Sequence, residues 1–499
     1  MEQDSTPSPE SNLDYNDDGE QKRLGGYPPL KTVCLLSIGP LISQMIIALY
    51  QFIDSLVIAR TIGQDGVAVL GAIYIVDFIP ISFSDYLLTS ISLRASYLFG
   101  LKQGEKVSQL YIDFIRVAFI FGILTPSLII PITRPFVQWF GADSHLSFLC
   151  LQYILPSTIG SFFNYVYQIS ISLLEAEGRS ILYGLIQFCS FILNICFLFG
   201  FLYGLKLPIW GASLAVILSE ALPGIVVFYF CMKGKFSIHP TFSMFLKSFS
   251  DEICPALKIG ISSLIIGISY SLPILLMQKY VNLASTSIGA YETVIEVWAI
   301  IEKLYPFCGA ICVGFNYGFV PAASYAYGAK LKKRVKQLAF NMLWLATLFS
   351  TILGEIFAFF PDKMASLWSK DPTLLYWAKK MLPPVFYAAP FHAIQYMIPG
   401  LLQALQMVLD STFVSLGVLV LTYPVFSTIL YFTDKNNPSR ILYTYTLSDC
   451  FSLITCLLAL IRPMKKLSEV ENDEYQSLLS QNENIFIEQS QENNEQYTK

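Results

Sequence analysis

The sequence predicts an all-α polytopic membrane protein, with twelve transmembrane helices in two parallel six-helix repeats that form two lobes, and three observations carry that reading. Of 499 residues, 54% are hydrophobic and 14% charged, with a mean hydropathy of +0.54, whereas a soluble chain carries about 25% charge. The apolar residues fall in runs such as Ile181 to Gly204 and Gly211 to Met232, matching the roughly 20 residues that cross a hydrocarbon core of ~30 Å. Finally, Ala95-Ser96-Tyr97-Leu98-Phe99-Gly100-Leu101-Lys102 recurs as Ala323-Ser324-Tyr325-Ala326-Tyr327-Gly328-Ala329-Lys330, a constant offset of 228 residues. The same offset pairs Asp143 with Asp371, and Leu173-Leu174-Glu175-Ala176 with Leu401-Leu402-Gln403-Ala404. A register kept across three helices marks a duplication.

Hydrophobic runs interrupted by charge, Gly and Pro place the first six spans near 33–58, 67–98, 109–133, 146–174, 181–204 and 209–232. The second six fall near 255–281, 286–319, 337–360, 374–406, 409–431 and 441–462. The expected organisation is an amino-terminal tail over 1–32, a first lobe over 33–232, a linker over 233–254 holding Lys233, Lys235, His239 and Lys247, a second lobe over 255–462 and a tail over 463–499. Lys and Arg number about twenty on the side holding both termini and about ten on the other, which predicts cytoplasmic termini. Lys330, Lys332, Lys333, Arg334 and Lys336 make the clearest contribution.

Both tails are rich in Asp, Glu, Asn, Gln and Ser, too polar to pack, and are expected to be disordered. Glu474-Tyr475-Gln476-Ser477-Leu478-Leu479 fits an acidic dileucine and a tyrosine-based sorting pattern, with Glu474, Tyr475, Leu478 and Leu479 as the signal residues. The membrane is then the plasma membrane or an endomembrane. The ten cysteines lack C-x-x-C spacing and read as small apolar packing residues rather than metal ligands. With no phosphate-binding loop, ATP does not drive the chain directly, and no enzyme constellation is visible. No resident cofactor, metal or nucleic-acid partner is expected.

Even-numbered repeats lie in the same orientation, so two lobes enclose a cavity that rocking opens to alternate sides. An ionisable side chain at membrane depth costs about 2.5–3.5 kcal/mol on insertion scales and persists when paired, hydrated or useful. The first lobe offers Asp54, Asp77, Asp85, Arg94 and Arg116; the second offers Glu292, Glu296, Glu302, Lys303 and Glu355. Asp54 follows Tyr50 by one turn on the same face and is the leading cation-coupling candidate, the alternative being an interfacial Asp paired with Arg60 or Arg94. Asn194, in mid-span, needs partners and either binds a cation or joins helices. Glu292 and Glu296 share one helix face and, with Trp298, form a second candidate site for an organic cation or coupling ion, or else a solvated pair at the helix mouth. Pro40, Pro80, Pro126, Pro223, Pro273 and Pro390 interrupt helices, which is tolerable beside a cavity or another helix.

Gly39-Pro40-Leu41-Ile42 with Leu49-Tyr50-Gln51-Phe52-Ile53-Asp54-Ser55, Leu173-Leu174-Glu175-Ala176-Glu177-Gly178, and Asn316-Tyr317-Gly318 with Tyr325-Ala326-Tyr327-Gly328-Ala329-Lys330 resemble segments of the multidrug and toxic compound extrusion (MATE) family. The resemblance spans about 33 to 462. It implies two lobes around a V-shaped cavity and export of organic cations, drugs or other xenobiotics in exchange for protons or sodium ions, by a monomer in the lipid bilayer. Asp54 matches the family's first-helix carboxylate, and Asn194 the Asn of its fifth-helix N-x-x-x-D pattern, whose Asp position is Leu198 here. The alternatives are a lipid or lipid-linked oligosaccharide flippase of the same broader superfamily and a non-transporting membrane receptor or scaffold.

Overall fold

The computed structural model describes residues 19, 21–139, 143–368, 370–465 and 467. Among them there is no strand, and the helices follow the duplicated pattern. The first lobe comprises α1 (Pro29–Thr61), α2 (Gln64–Gly100), α3 (Gly104–Trp139), α4 (Ser144–Ile159 and, after a 49° bend, Ser161–Ala176), α5 (Ser180–Phe199, ending in a π-turn) and α6 (Trp210–Met232). The second comprises α7 (Ile253–Ser287), α8 (Tyr291–Gly328), α9 (Lys332–Phe359), α10 (Pro372–Phe386 and Ala389–Ala404), α11 (Val408–Ser415, a π-turn, then Thr422–Thr433) and α12 (Pro438–Ile441 and Tyr443–Ala459). On length and composition alone, eight helices among the described residues qualify as membrane spans, or nine with the bent α4 counted as one. The other three, α2, α7 and α10, run alongside them.

The duplication extends to backbone conformation. Lys102 (φ 59°) and Lys330 (φ 60°) are left-handed, as are Gly178 (φ 72°) and Gln406 (φ 62°), and both pairs keep the offset of 228. Asp143 and Asp371 are the amino-terminal caps of α4 and α10, accepting from Leu146 N at 2.7 Å and Thr373 N at 3.1 Å. A capping oxygen satisfies an amide that the helix leaves open, so the repeated Asp keeps the start of each fourth helix. Asp143→Ala is expected to cost about 1 kcal/mol of stability, read as a lower unfolding temperature in detergent; an unchanged temperature would refute the cap.

Contacts between lobes follow the same symmetry: α1 packs on α8, and α2 on α7. One apolar core joins both lobes at the end carrying the termini, uniting Val33, Leu98, Tyr111 and Leu174 with Ile259, Phe319, Leu338 and Leu401. At the opposite end the core divides. Val57, Ile73, Cys150, Leu198 and Ala212 form one cluster within the first lobe, and Met277, Trp298, Leu382 and Tyr445 another within the second. Apolar burial therefore holds the lobes together at one end only, which makes the molecule a V closed on the side of its termini.

The tail boundary moves inward from the expected residue 32. Gln21–Gly26 forms a helical turn before α1, and Leu24 is fully buried. Arg23 Nε donates to the Glu177 carbonyl at 2.8 Å, and Arg334 Nη2 donates to the Leu24 carbonyl at 3.0 Å. Arginine supplies enough donors to satisfy these loop carbonyls, and one apolar residue between them suffices to pin a polar segment across both lobes. Residues 1–18 and the sorting pattern at Glu474, Tyr475, Leu478 and Leu479 lie outside the described residues.

Candidate functional site

In the first lobe, α1 and α5 run parallel and unusually close, since a Cβ on Gly39 would lie 1.7 Å from the Ser180 carbonyl oxygen. Further along, Ile53 and Val57 of α1 share a cluster with Leu198 and Leu202 of α5. That register puts Leu198 level with Asp54, and Asn194 about one turn away. Asp54 is 7% exposed and Asn194 3%, and the Oδ1 of each is buried without a hydrogen-bond partner. Buried polar oxygens are normally satisfied, so two orphans on adjoining helices mark a place where a cation or proton can be held.

Leu198, at the Asp position of the fifth-helix pattern that the sequence resembles, is fully buried among apolar neighbours. Other helices bring acid to the same place. Asp77 of α2 interacts through space with Asp54, and Tyr50 lies within electrostatic reach of Asp54, Tyr153, Glu220 and Asp77. Tyr153 of α4 in turn lies within electrostatic reach of Asp77 and Asp54. Glu220 of α6 accepts a hydrogen bond from Asn164 Nδ2 of α4, whose Oδ1 accepts one from Ser84 of α2. Five helices, α1, α2, α4, α5 and α6, thus contribute three carboxylates, two phenols and the amides of Asn164 and Asn194, a set of hard oxygens suited to protons or small cations.

Tyr50 and Asp54 stand in this cluster as the sequence suggested. Sequence reasoning missed Glu220, although it sits in mid-span in Leu218-Ser219-Glu220-Ala221 and the rule that found Asp54 applies equally to it. The alternative pairing of Asp54 with Arg94 is not made: Arg94 Nε donates instead to Glu252 Oε2 at 2.9 Å. The second candidate site is not a converged one. Glu292 and Glu296 are exposed near the start of α8, whereas Trp298 is 1% exposed in the second-lobe core and donates its indole N–H to Glu302 at 2.8 Å. At 100° per residue, Trp298 lies about 160° around the helix from Glu296 and about 120° from Glu292, off the face they share.

The closed end carries its own polar device. Glu252, at the start of α7, binds both Arg94 of α2 and Lys106 of α3 (3.2 Å), and Arg94 Nη1 also donates to Gln406 Oε1 at 3.4 Å. Burial alone would raise the Glu252 carboxyl, but the two cations hold it below the usual carboxylate range. Its contribution is therefore present at neutral pH and lost only as pH falls through that lowered value. Glu252→Gln is expected to loosen the closed end, raising the labelling rate of a cysteine at position 324 in a cysteine-free background by about tenfold. An unchanged rate would remove the clamp from the account.

A two-lobed, twelve-helix molecule whose core divides at one end, with buried acids in its first lobe, has the architecture of a multi-pass membrane transporter. The MatE family model matches residues 40–199 and 261–427, most of both lobes, and the chain belongs to that family. It is 21% identical over 396 residues to the probable multidrug resistance protein YoeA of Bacillus subtilis, covering 77% of this chain and 83% of that one. It is also 24% identical over 321 residues to the multidrug export protein MepA of Staphylococcus haemolyticus, covering 62% and 69%. An outward-facing MATE-family multidrug resistance transporter superposes with a TM-score of 0.83 at 17% identity, over 90% of this chain and 99% of that one. A transporter of the same superfamily from Pyrococcus furiosus, described as having a binding pocket of reversed polarity, gives 0.82 at 16% identity over 91% and 98%.

Proposed function

We propose that the protein is a secondary active exporter of organic cations, drugs or other xenobiotics, driven by inward flow of protons or sodium ions and working by alternating access. The observation that carries this reading is the pair of buried, unpartnered oxygens on Asp54 and Asn194, with Asp77 in electrostatic reach of Asp54 and Glu220 in reach of the neighbouring Tyr50. A coupling ion neutralises such a cluster, and its departure restores mutual repulsion, which gives the lobe two states of different charge. The multidrug export named for the bacterial relatives supports the cargo class. The termini then lie in the cytoplasm, and the cleft faces outward.

A flippase for anionic lipid-linked substrates calls for a cationic cleft, and the groups that converge here are acidic. Leu198, in place of an acid, favours a non-transporting receptor, but Asp77 of α2 and Glu220 of α6 lie within electrostatic reach of Tyr50, one turn from Asp54. The deciding experiment is efflux of a fluorescent organic cation from proteoliposomes under an imposed proton or sodium gradient. Gradient-dependent flux supports the exporter; none under either gradient rejects it.

A further inference from the structure

Residues 233–250, which join the lobes, carry Lys233, Lys235 and Lys247 but no Asp or Glu, and among them stand Phe242, Phe245, Leu246 and Phe249. A loop of this composition either buries its large apolar side chains or sets them against something other than water. This one does both. Met244 and Phe245 pack on the core at the closed end, whereas Phe242, Leu246 and Phe249 are 76%, 92% and 47% exposed.

The exposed side chains are held outward by a fixed backbone. His239 N donates to Ser108 Oγ at 3.0 Å, and Gln109 Nε2 donates to the Met244 carbonyl at 3.3 Å. Arg116 Nη1 donates to the carbonyls of Phe245 at 3.2 Å and Lys247 at 2.7 Å, and the fully buried Asp113 accepts from Ser250 N at 2.8 Å. Ser108, Gln109, Asp113 and Arg116 all belong to α3, so the linker is fastened along that helix.

α3 also marks where the bilayer begins. Arg116 and Arg134 are 18 residues apart with no charged residue between them, which sets them roughly 27 Å apart along the helix, close to a hydrocarbon core of ~30 Å. Just past Arg116, Phe119, Ile120 and Ile123 are more than half exposed, as side chains facing lipid are. Before Arg116, from Val107 to Ile115, nearly every residue is buried. The Arg116 guanidinium lies 4.1 Å over the Phe249 ring, so Phe249 and the neighbouring turn Phe242–Leu246 stand at the edge of the hydrocarbon and continue the lipid-facing surface of α3. Cations flank them. Lys247 follows Leu246, and Lys233 and Lys235, just past the end of α6, reach back over the rings of Tyr229 and Phe230 at 5.7 and 4.7 Å; all three lysines are exposed.

We infer that residues 233–250 form a lipid-binding element at the membrane surface, in which Phe242, Leu246 and Phe249 enter the boundary between headgroups and acyl chains while Lys233, Lys235 and Lys247 hold anionic phospholipid headgroups. Apolar side chains at the boundary gain the burial that water denies them, and lysines within a Debye length of the surface gain from its negative potential. With no acid in the segment, nothing in it offsets that attraction. A second copy of the chain, or the acidic residues after 467, would cover the same side chains without acyl-chain contact. The inference asks only that the chain span a bilayer; it is independent of the cargo and of the Asp54 cluster.

The test uses the full chain with its ten cysteines replaced and a fluorophore attached through Leu246→Cys or, as a lipid-facing reference, Ile123→Cys. The bilayer is an equal mixture of phosphatidylcholine and phosphatidylserine, one of the two brominated along its acyl chains. The label at 246 is expected to be quenched to at least about half the extent seen at 123, and more by brominated phosphatidylserine than by brominated phosphatidylcholine. Lys233→Gln, Lys235→Gln and Lys247→Gln together should lower that preference at least about fivefold. Quenching at 123 but not at 246 would overturn the insertion, as would a signal at 246 that follows the protein-to-lipid ratio rather than the bromine, which would assign the face to a second copy. Equal quenching by both lipids, unchanged in the lysine variant, would overturn the headgroup recognition. With the native cysteines in place, spin-labelled phosphatidylserine should be motionally restricted by the protein in a larger fraction than phosphatidylcholine. The lysine variant should narrow that difference, and a difference it leaves intact would overturn the site as well.

Discussion

Asp54→Asn is expected to lower gradient-driven efflux at least about tenfold, with expression and thermal stability close to wild type. The side chain keeps its shape but can no longer carry the charge that the coupling ion cancels, so the first lobe loses its two charge states. Asp77→Asn and Glu220→Gln should each reduce flux by a smaller factor, because each leaves in place Asp54, the acid with the buried, unpartnered oxygen. Glu220→Gln retains the hydrogen-bonding capacity facing Asn164, which separates loss of charge from loss of structure. Glu292→Gln and Glu296→Gln, exposed and apart from Trp298, should change flux by less than about twofold. If those two abolished transport while Asp54→Asn did not, the coupling site would belong in the second lobe.

The twelve spans and their duplication were legible because hydropathy and the spacing of Ala95-Ser96-Tyr97 and Ala323-Ser324-Tyr325 are local properties of the chain. Asp143 and Asp371 were visible as a repeated pair, and the structure adds that both are caps. Side-chain direction was less legible. A helix that is apolar all round gives no periodic signal for its core-facing side, so nothing local distinguished Asp77 and Glu220 from acids destined for an interface. Trp298 could have been separated from Glu292 and Glu296 by helical angle alone. Leu24 was hidden for a different reason: one buried leucine inside a polar tail has no compositional weight.

Substituting Gly328 tests how the closed end works, and the expected effect is large. A Cβ at Gly328 would lie 2.3 Å from the Tyr97 carbonyl oxygen, and one at its repeat counterpart Gly100 would lie 2.2 Å from the Tyr325 carbonyl oxygen. Both distances run between α2 and α8, which belong to different lobes, and both opposing atoms are backbone, so no side chain can swing aside. Ser324 Oγ also donates to the Leu93 carbonyl at 2.9 Å across this seam. Gly328→Ala must therefore push the lobes apart where the terminal core joins them, at a cost of about 1–3 kcal/mol to the closed form. The cost falls on one state of the cycle: once the lobes separate at this end, the methyl group meets open space. The equilibrium should move by roughly 5- to 150-fold toward the form open at the termini, with efflux falling about tenfold while the folded protein survives. Spin labels on α2 and α8 near the seam should report a longer separation in Gly328→Ala and in Gly100→Ala. Wild-type separation together with wild-type flux would mean that the contact between these helices is not what seals the transporter.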